Sequence, residues 1–326
     1  MAAVFIFAVA LALSGRGMPP ASQNDSARAN DRQITILAVT PQHRIVKHSS
    51  GETAVPLAPQ RIVSLSTFIT DDLLALGIQP AAVESSSWSG EVGKAAPHLA
   101  DRLPNVPVVG SGRTLNIEAI AEAKPDLILA GSSENGLLYG HLSRIAPTVL
   151  FASEGTTPQR ETAILDIGDV VGRSESAAKI LEEYRGKIRQ AKKILAETVG
   201  SKPVVFLRFR KQTCVIYTQK PMIGPLLYEQ LGLTPDSLVT ETMSNAGGWD
   251  VLSLEHLSRL KAEYIFMSID RDSENYWESV VQSPIWRTIP AVRHNHAVRV
   301  DRSVWFGQGV LACGAIIDDV LAAAKQ

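Results

Sequence analysis

Eight residues of this chain have side chains suited to ligand binding: three arginines, four aromatic residues and one serine. They are Trp88, Arg113, Ser132, Arg208, Arg210, Trp249, Trp305 and Phe306. Arginine forms paired hydrogen bonds with negatively charged oxygens, and aromatic side chains cover apolar bulk. The set predicts a cleft for a sizeable anionic or polar ligand. The alternative is that the tryptophans are hydrophobic plugs and that Arg208 and Arg210 are paired surface charges.

Motifs for catalysis are missing from the sequence. It contains no G-x-S-x-G turn, no phosphate-binding P-loop and no H-E-x-x-H pair. Ser66 ends a predicted strand, where a nucleophile could sit, but no candidate base stands beside it. His294 and His296 are two residues apart, so on a strand they would share one face and could bind a metal ion. The alternative is a solvated strand edge. We therefore expect binding without catalytic residues and without protein ligands to a metal.

Two glutamates occupy matching places in the two halves of the chain. Glu118 is the second residue after a predicted N-cap at Asn116, and Glu255 is the second after Ser253. A carboxylate in the first turn stabilises a helix by about 0.3–1 kcal/mol, which would explain either residue alone. The repetition instead indicates docking to a symmetric partner that carries basic residues.

The segment from Ser174 to Val199 has apolar residues at three- and four-residue steps, which predicts one long helix of about 39 Å. Short apolar strands and helices alternate on both sides of it, a pattern typical of parallel sheets covered on both faces. We predict an α/β fold of two lobes, each with a central, mainly parallel sheet, joined by this helix. The lobes are predicted at 31–157 and 201–326, with the linker and helix at 158–200.

The two halves also resemble each other in sequence. LLALGIQP at 73–80 parallels YEQLGLTP at 228–235, and NIEAIAEAKPDLILAGS at 116–132 parallels SLEHLSRLKAEYIFMSI at 253–269. Two matching pairs in the same order indicate duplicated lobes. Ligands of open α/β sheets bind beyond the carboxyl ends of the strands, so the cleft should lie there.

Composition excludes several classes of protein. The chain has 326 residues, of which 45% are hydrophobic and 20% are charged, as in globular proteins. Its net charge is -1, so the chain as a whole has no electrostatic field that would attract nucleic acid.

An apolar segment from Ala2 to Leu13 is too short to span a bilayer and has the length of a secretory signal. We predict residues 1–30 as a signal and processing segment of an exported protein; the alternative is a buried N-terminal strand. Cys214 and Cys313 are expected to be free buried thiols, or to form one disulfide.

Four segments carry a family resemblance. They are PQRIVSLSTFITDDLLALGIQPAAV, VGSGRTLNIEAIAEAKPDLILAG, LSRIAPTV and SPIWRTIPAVRHNHAVRVDRSVWFG. From Pro59 to its end the chain resembles the iron-siderophore binding proteins of ABC importers, the periplasmic binding proteins with a single rigid helix between two lobes. The ferric hydroxamate member is the most similar. The resemblance implies a monomer of the periplasm that delivers a ferric siderophore to an inner-membrane permease dimer with its ATPase subunits.

The resemblance also implies roles for residues. Arg113 would bind the iron-coordinating hydroxamate oxygens, and Trp88, Trp249, Trp305 and Phe306 would wall the cleft. Glu118 and Glu255 would pair with arginines of the permease. The siderophore's own oxygens would hold the iron, so the protein would need no cofactor.

The sequence departs from that family pattern at several positions, so the chemical class of the ligand is not decided by the resemblance. Ser132 stands where the hydroxamate member has a tyrosine, with Tyr139 further along. Arg208 and Arg210 resemble residues of catecholate or carboxylate siderophore binders. A haem, cobalamin or other metal-chelate binder on the same scaffold is the first alternative, and an α/β hydrolase using Ser66 is a second from another class.

Overall fold

The structure is a computed structural model that describes residues 32–85, 94–112, 114–152, 157–220, 222–241 and 248–325. The predicted signal segment, Trp88 and Arg113 lie outside the described residues. The predictions made for them from sequence therefore stand as predictions.

The first lobe contains nine strands and four α-helices among its described residues. The strands are β1 Thr35–Val39, β2 His43–His48, β3 Gly51–Pro56, β4 Ile62–Leu65, β5 Ala82–Val83, β6 Gly110–Ser111, β7 Thr114–Leu115, β8 Leu127–Gly131 and β9 Thr148–Phe151. The helices are α1 Thr67–Ala75, α2 Ile117–Glu122, α3 Ser132–Asn135 and α4 Tyr139–Leu142, with 3₁₀ turns at Pro97–Arg102 and Gly136–Leu138. The central sheet is parallel, in the order β5-β4-β8-β9. Every residue of β4, β8 and β9 is buried, as expected for a parallel sheet covered on both faces. Before this sheet, β1, β2 and β3 form an antiparallel meander.

The second lobe is built on a larger sheet. Its strands are β10 Pro203–Arg210, β11 Thr213–Tyr217, β12 Thr234–Pro235, β13 Trp249–Leu252, β14 Tyr264–Ile269 and β15 Ala297–Arg299. The order is β13-β11-β10-β14-β15, with β12 also paired to β10. The helices are α7 Ser237–Glu241, α8 Leu254–Leu257, α9 Glu274–Gln282, α10 Pro284–Thr288, α11 Pro290–Arg293 and α12 Arg302–Trp305, with a π-helix at Pro225–Gln230 and a 3₁₀ turn at Arg271–Ser273.

The duplication predicted from sequence is present in the topology. The parallel strands run in the order β5-β4-β8-β9 in the first lobe and β12-β10-β14-β15 in the second. The two segments that resemble each other, 116–132 and 253–269, hold α2 with β8 and α8 with β14. The antiparallel strands β11 and β13 extend the second sheet beyond this shared core.

The connecting helix, α6, spans Ser174–Thr198, one residue shorter than predicted. Its buried residues are Ala177, Leu181, Tyr184, Ile188, Ala191 and Leu195, all on the predicted apolar face. A helix that the sequence did not reveal, α5 at Thr157–Val171, packs against it. A Cβ atom at Gly168 of α5 would lie 2.4 Å from the Cβ of Ala177, so glycine is needed for the two helices to approach.

The last helix, α13 at Val310–Ala323, packs on α1 of the first lobe and on α6. The two buried carboxylates of Asp71 and Asp72 accept hydrogen bonds of 2.8–3.0 Å from the first three amides of α13. Burial, together with the charge of Asp71, raises the pKa of Asp72 well above its usual range. Helix α13, which the sequence placed in the second lobe, is therefore anchored on the first lobe.

Among the described helices, none is both long enough and apolar enough to cross a membrane.

Candidate ligand-binding cleft

A cavity of about 820 Å³ lies at the carboxyl ends of β14 and β15 and faces Pro97 of the first lobe. It is lined by Pro97, Ile269, Asp270, Arg271, Asp272, Glu274, Arg299, Val300, Asp301, Arg302 and Ser303. This is the edge of the sheet where the sequence predicted a cleft, and it lies between the two lobes. Three arginines and four acidic residues line it, so its charges are mixed.

A cluster of ionic hydrogen bonds forms the floor of this cavity. Asp270 follows β14 and accepts bonds of 3.0 and 2.7 Å from Nε and Nη2 of Arg208 on β10. Arg302 lies 2.9 Å from the same carboxylate. Burial favours the neutral form of Asp270, but the bonds from the two arginines outweigh it and lower its pKa.

Arg208 is thus placed differently from the sequence prediction. It is only 5% exposed, and its guanidinium carbon lies 4.9 Å from the centre of the Phe306 ring. Its charge is balanced by Asp270 within the lobe. Of the two interpretations that the sequence allowed, the structure favours a paired charge, and the pair is buried rather than superficial.

Arg210 ends β10 and is half-buried, with its guanidinium carbon 5.6 Å from the centre of the Trp249 ring. Trp249 is also half-buried and begins β13. Both keep solvent-accessible surface, and a guanidinium stacked on an indole presents charge and apolar area together. Their predicted contact with a ligand remains a prediction.

Trp305 and Phe306 do not wall a cleft in this structure, which corrects the prediction for them. Trp305 is 1% exposed, stacks on Phe206 and Phe266 with ring centres 5.2 and 4.9 Å apart, and donates from its indole nitrogen to Asp319 at 2.8 Å. Phe306 is 6% exposed and packs on Phe206. The physical reason is that an internal carboxylate satisfies the indole N–H, so the ring can join the core.

The first lobe contributes a second group of polar residues at the carboxyl ends of β5 and β8. Glu84 follows β5, is 7% exposed, and accepts a bond of 3.4 Å from the Gly112 amide. Asn135, at the end of α3, donates to the Gly112 carbonyl at 3.1 Å, and Ser132 begins the same helix, half-buried. Gly112 directly precedes Arg113 in the chain. The predicted anion-binding arginine therefore adjoins a segment held at this sheet edge by two side chains that sequence reasoning missed. Glu84 directly follows β5 and Asn135 lies four residues after β8, so closeness to a strand's carboxyl end was the signal that could have found them.

Glu84 gives the protein a testable pH dependence. Burial, with a further contribution from Glu134, raises the pKa of Glu84 from 4.5 to about 8. Between these values the folded state holds a proton that the unfolded state has lost, so stability falls as pH rises from 4.5 to 8.

We expect Glu84→Gln to remove this loss of stability, which amounts to about 5 kcal/mol at most. Urea unfolding of both proteins at pH 5 and pH 9 measures it. The wild type should lose more stability than the variant across that range, whereas the exposed Glu122→Gln should behave like the wild type. If the free energy of unfolding changed equally between pH 5 and pH 9 in the wild type and in Glu84→Gln, the pKa of Glu84 would not be raised by folding.

The two glutamates predicted to dock a partner have matching surroundings. Both are exposed in the first turn of short helices, Glu118 in α2 and Glu255 in α8. The Asn116 side chain accepts from the Ala119 amide at 2.9 Å, and the Ser253 hydroxyl accepts from the His256 amide at 3.2 Å. The caps are thus equivalent in the two lobes, and the carboxylates remain exposed. Their docking role stays a prediction.

Cys214 and Cys313 are both buried thiols, and they do not form a disulfide with each other. This confirms the first of the two interpretations of these residues. Burial raises the pKa of the Cys214 thiol far above its usual range, which keeps the thiol protonated.

Comparison with known proteins gives a consistent result. A family model described as "Periplasmic binding protein" matches residues 62–304. The chain is 27% identical over 307 residues to the probable siderophore-binding lipoprotein YfiY of Bacillus subtilis (strain 168), covering 91% of each protein. It is 28% identical over 279 residues to the Fe(3+) dicitrate-binding periplasmic protein FecB of Escherichia coli (strain K12), covering 85% of this chain and 88% of that protein. The crystal structure of Staphylococcus aureus SirA complexed with staphyloferrin B superposes with a TM-score of 0.73 at 24% identity, covering 86% of this chain and 98% of that one.

Proposed function

The chain belongs to the periplasmic binding protein family, and from this membership we propose that it captures a ferric siderophore and delivers it to an ABC permease for iron uptake. The observation that carries the proposal is the cavity between two duplicated lobes, at the carboxyl ends of β14 and β15, in a chain whose relatives are named for siderophore and ferric dicitrate binding. A cavity of about 820 Å³ is within the range of small-molecule sites.

The ligand's own oxygens hold the iron in this proposal, so the protein needs no resident cofactor. The cavity lining supports this, because two of its four carboxylates are paired with arginines of the same lining. Glu274 accepts hydrogen bonds from Arg299, and Asp270 accepts from Arg302. Side chains that are bonded in this way are suited to orient a bulky chelate rather than to take its metal.

We propose a hydroxamate-type siderophore as the ligand, with Arg113 binding the oxygens around the iron and Arg210 with Trp249 contributing a second contact. The proposal rests on the segment around Arg113 and on the half-buried Arg210–Trp249 pair. Carboxylate and catecholate siderophores, haem and cobalamin are the competing ligands.

Tryptophan fluorescence tests the proposal, since Trp249 lies beside Arg210 and keeps solvent-accessible surface. The chain is titrated with a ferric trihydroxamate, a ferric tris-catecholate, ferric dicitrate, haem and cobalamin. We expect saturable quenching by a ferric siderophore, strongest for the trihydroxamate. A response to haem or cobalamin alone would support the first alternative, and no response to any ferric chelate would exclude the siderophore function.

We further propose that the chain is exported to the periplasm by its first 30 residues and works there as a monomer. The apolar segment near the N-terminus supports export. Its partner is proposed to be a permease dimer of the inner membrane, with ATPase subunits on the other side.

The docking role of the two glutamates can be separated from ligand binding. We expect the double variant Glu118→Ala/Glu255→Ala to keep the affinity for the ferric siderophore but to lose uptake, because exposed carboxylates contact a partner and not the cavity. Uptake of radiolabelled iron in cells that express each variant measures the effect. The matched control is Glu122→Ala/Glu278→Ala, which removes two other exposed glutamates from helices. Normal uptake by the first variant would leave these acids with only a stabilising effect on the first turn of their helices.

A further inference from the structure

The structure assigns a second site, separate from the cavity: we propose that Glu263, His294 and His296 bind one divalent transition-metal ion such as Zn²⁺. Each of the three offers one ligand atom, and these atoms lie within 4.8 Å of one another. Two imidazoles and one carboxylate are a ligand set that zinc accepts in proteins, with the remaining positions taken by water.

The backbone brings the two histidines together in a turn, not on a strand face as the sequence suggested. His294 follows α11, and its amide donates to the Pro290 carbonyl at 3.0 Å. Asn295 has a φ of 61°, a left-handed conformation that asparagine tolerates, and it reverses the chain. His296 then directly precedes β15. The turn therefore holds both rings on the same side, with centres 6.1 Å apart.

Glu263 is placed beside them by the sheet. It directly precedes β14, whose first residues pair with β15 in parallel. The Ile265 amide donates to the His296 carbonyl at 3.0 Å, which fixes the two strand ends relative to each other. The site is thus built on the amino ends of two paired strands, which are rigid supports.

A hydrogen bond fixes the orientation and the tautomer of the His296 ring. Nδ1 of His296 lies 3.1 Å from the Glu263 carbonyl oxygen, which can only accept, so the proton is on Nδ1 and Nε2 offers its lone pair. The His296 ring also stacks on Tyr264, with centres 4.4 Å apart and planes 2° from parallel. A carbonyl-bonded imidazole held in one orientation is the arrangement found behind metal-ligating histidines.

His294 and Glu263 already lie close to the separation of two metal ligands. Nδ1 of His294 is 2.8 Å from a carboxylate oxygen of Glu263. Two ligand atoms at 2.0–2.1 Å from one tetrahedral ion are about 3.3 Å apart, so these two atoms would separate by about half an ångström. The ion would take the place of the proton on Nδ1 of His294, and the neutral ring would carry its proton on Nε2 instead. Their side chains are 52% and 27% exposed, so the ion can reach them and they can adjust toward Nε2 of His296.

The site is distant from the cavity. Glu263 lies at one end of β14 and Asp270 at the other, seven residues apart, which is about 23 Å along an extended strand. An ion bound here would not contact a ligand in the cavity, so the site can be filled independently of the proposed transport function.

Calorimetric titration of the untagged chain, stripped with a chelator and titrated with Zn²⁺ alone, tests the proposal. We expect one ion per chain and at least a tenfold loss of affinity in His294→Ala, in His296→Ala and in Glu263→Gln. The control is His141→Ala, an exposed histidine of α4, which should leave binding unchanged. Both cysteines are buried and do not compete.

The absence of stoichiometric binding in the wild type would overturn the proposal, as would binding of unchanged affinity in His294→Ala/His296→Ala. Unchanged affinity in Glu263→Gln would overturn the three-ligand site. His294 is mostly exposed, so its variant should fold normally, and the melting temperature verifies this.

Discussion

Replacing Asp270 with alanine is expected to lower the free energy of unfolding by about 3–5 kcal/mol. The substitution leaves the guanidinium of Arg208 in the protein interior without its carboxylate, and the side chain of Arg208 is only 6% exposed. An uncompensated buried charge is expensive, because the surroundings cannot replace the hydration that the group had in the unfolded chain. Arg302 loses the same partner. Urea unfolding at neutral pH measures the effect.

Two further variants make the interpretation specific. Asp272→Ala removes an exposed carboxylate two residues away and should change stability by less than about 0.5 kcal/mol. Arg208→Met/Asp270→Leu removes the more deeply buried arginine together with its carboxylate and should be less destabilised than Asp270→Ala alone, because only Arg302, whose side chain is 17% exposed, is left without its partner. If Asp270→Ala and Asp272→Ala had the same free energy of unfolding, the ion pair between Arg208 and Asp270 would not stabilise the cavity floor.

Replacing Arg113 with alanine is expected to weaken binding of the ferric siderophore at least 100-fold, which corresponds to about 2.7 kcal/mol. The reason is the loss of paired, charge-assisted hydrogen bonds to oxygens that become buried on binding. Fluorescence titration of the variant measures the affinity.

The controls for Arg113 separate charge from geometry. Arg113→Lys keeps the charge but loses the planar fork, so its affinity should fall between those of the wild type and the alanine variant. Arg102→Ala removes an exposed arginine of the same lobe and should bind normally. An unchanged affinity in Arg113→Ala would remove this residue from the site.

Long amphipathic and fully apolar segments were predictable from the sequence. The helix from Ser174 has one clear apolar face, β8 is an uninterrupted apolar run and β14 is apolar except for Ser268, so local sequence is enough to predict each of them. The duplicated strand order followed from matching segments. Helix α5 was not recognised, because Gly168 and scattered polar residues weaken its periodicity, although the glycine is what lets it pack on Ala177.

The candidate site was only partly predictable, since its decisive contacts join distant segments. Arg208 and Asp270 are 62 residues apart, and nothing local to either indicates the other. Helix α12 has four residues, too few to show a period, so the sequence could not tell whether Trp305 points into the cleft or into the core. Its bond to Asp319, on the following helix, and its stacking on Phe206 and Phe266 decide this.

The most direct test of the account is equilibrium dialysis of the chain against a trihydroxamate siderophore loaded with radiolabelled iron. We predict that each chain retains one iron together with one siderophore, and that Arg113→Ala retains neither at the same concentrations. Retention of iron without the siderophore would contradict the account. So would the failure to retain any ferric siderophore when the trihydroxamate is replaced by a catecholate or a citrate chelate.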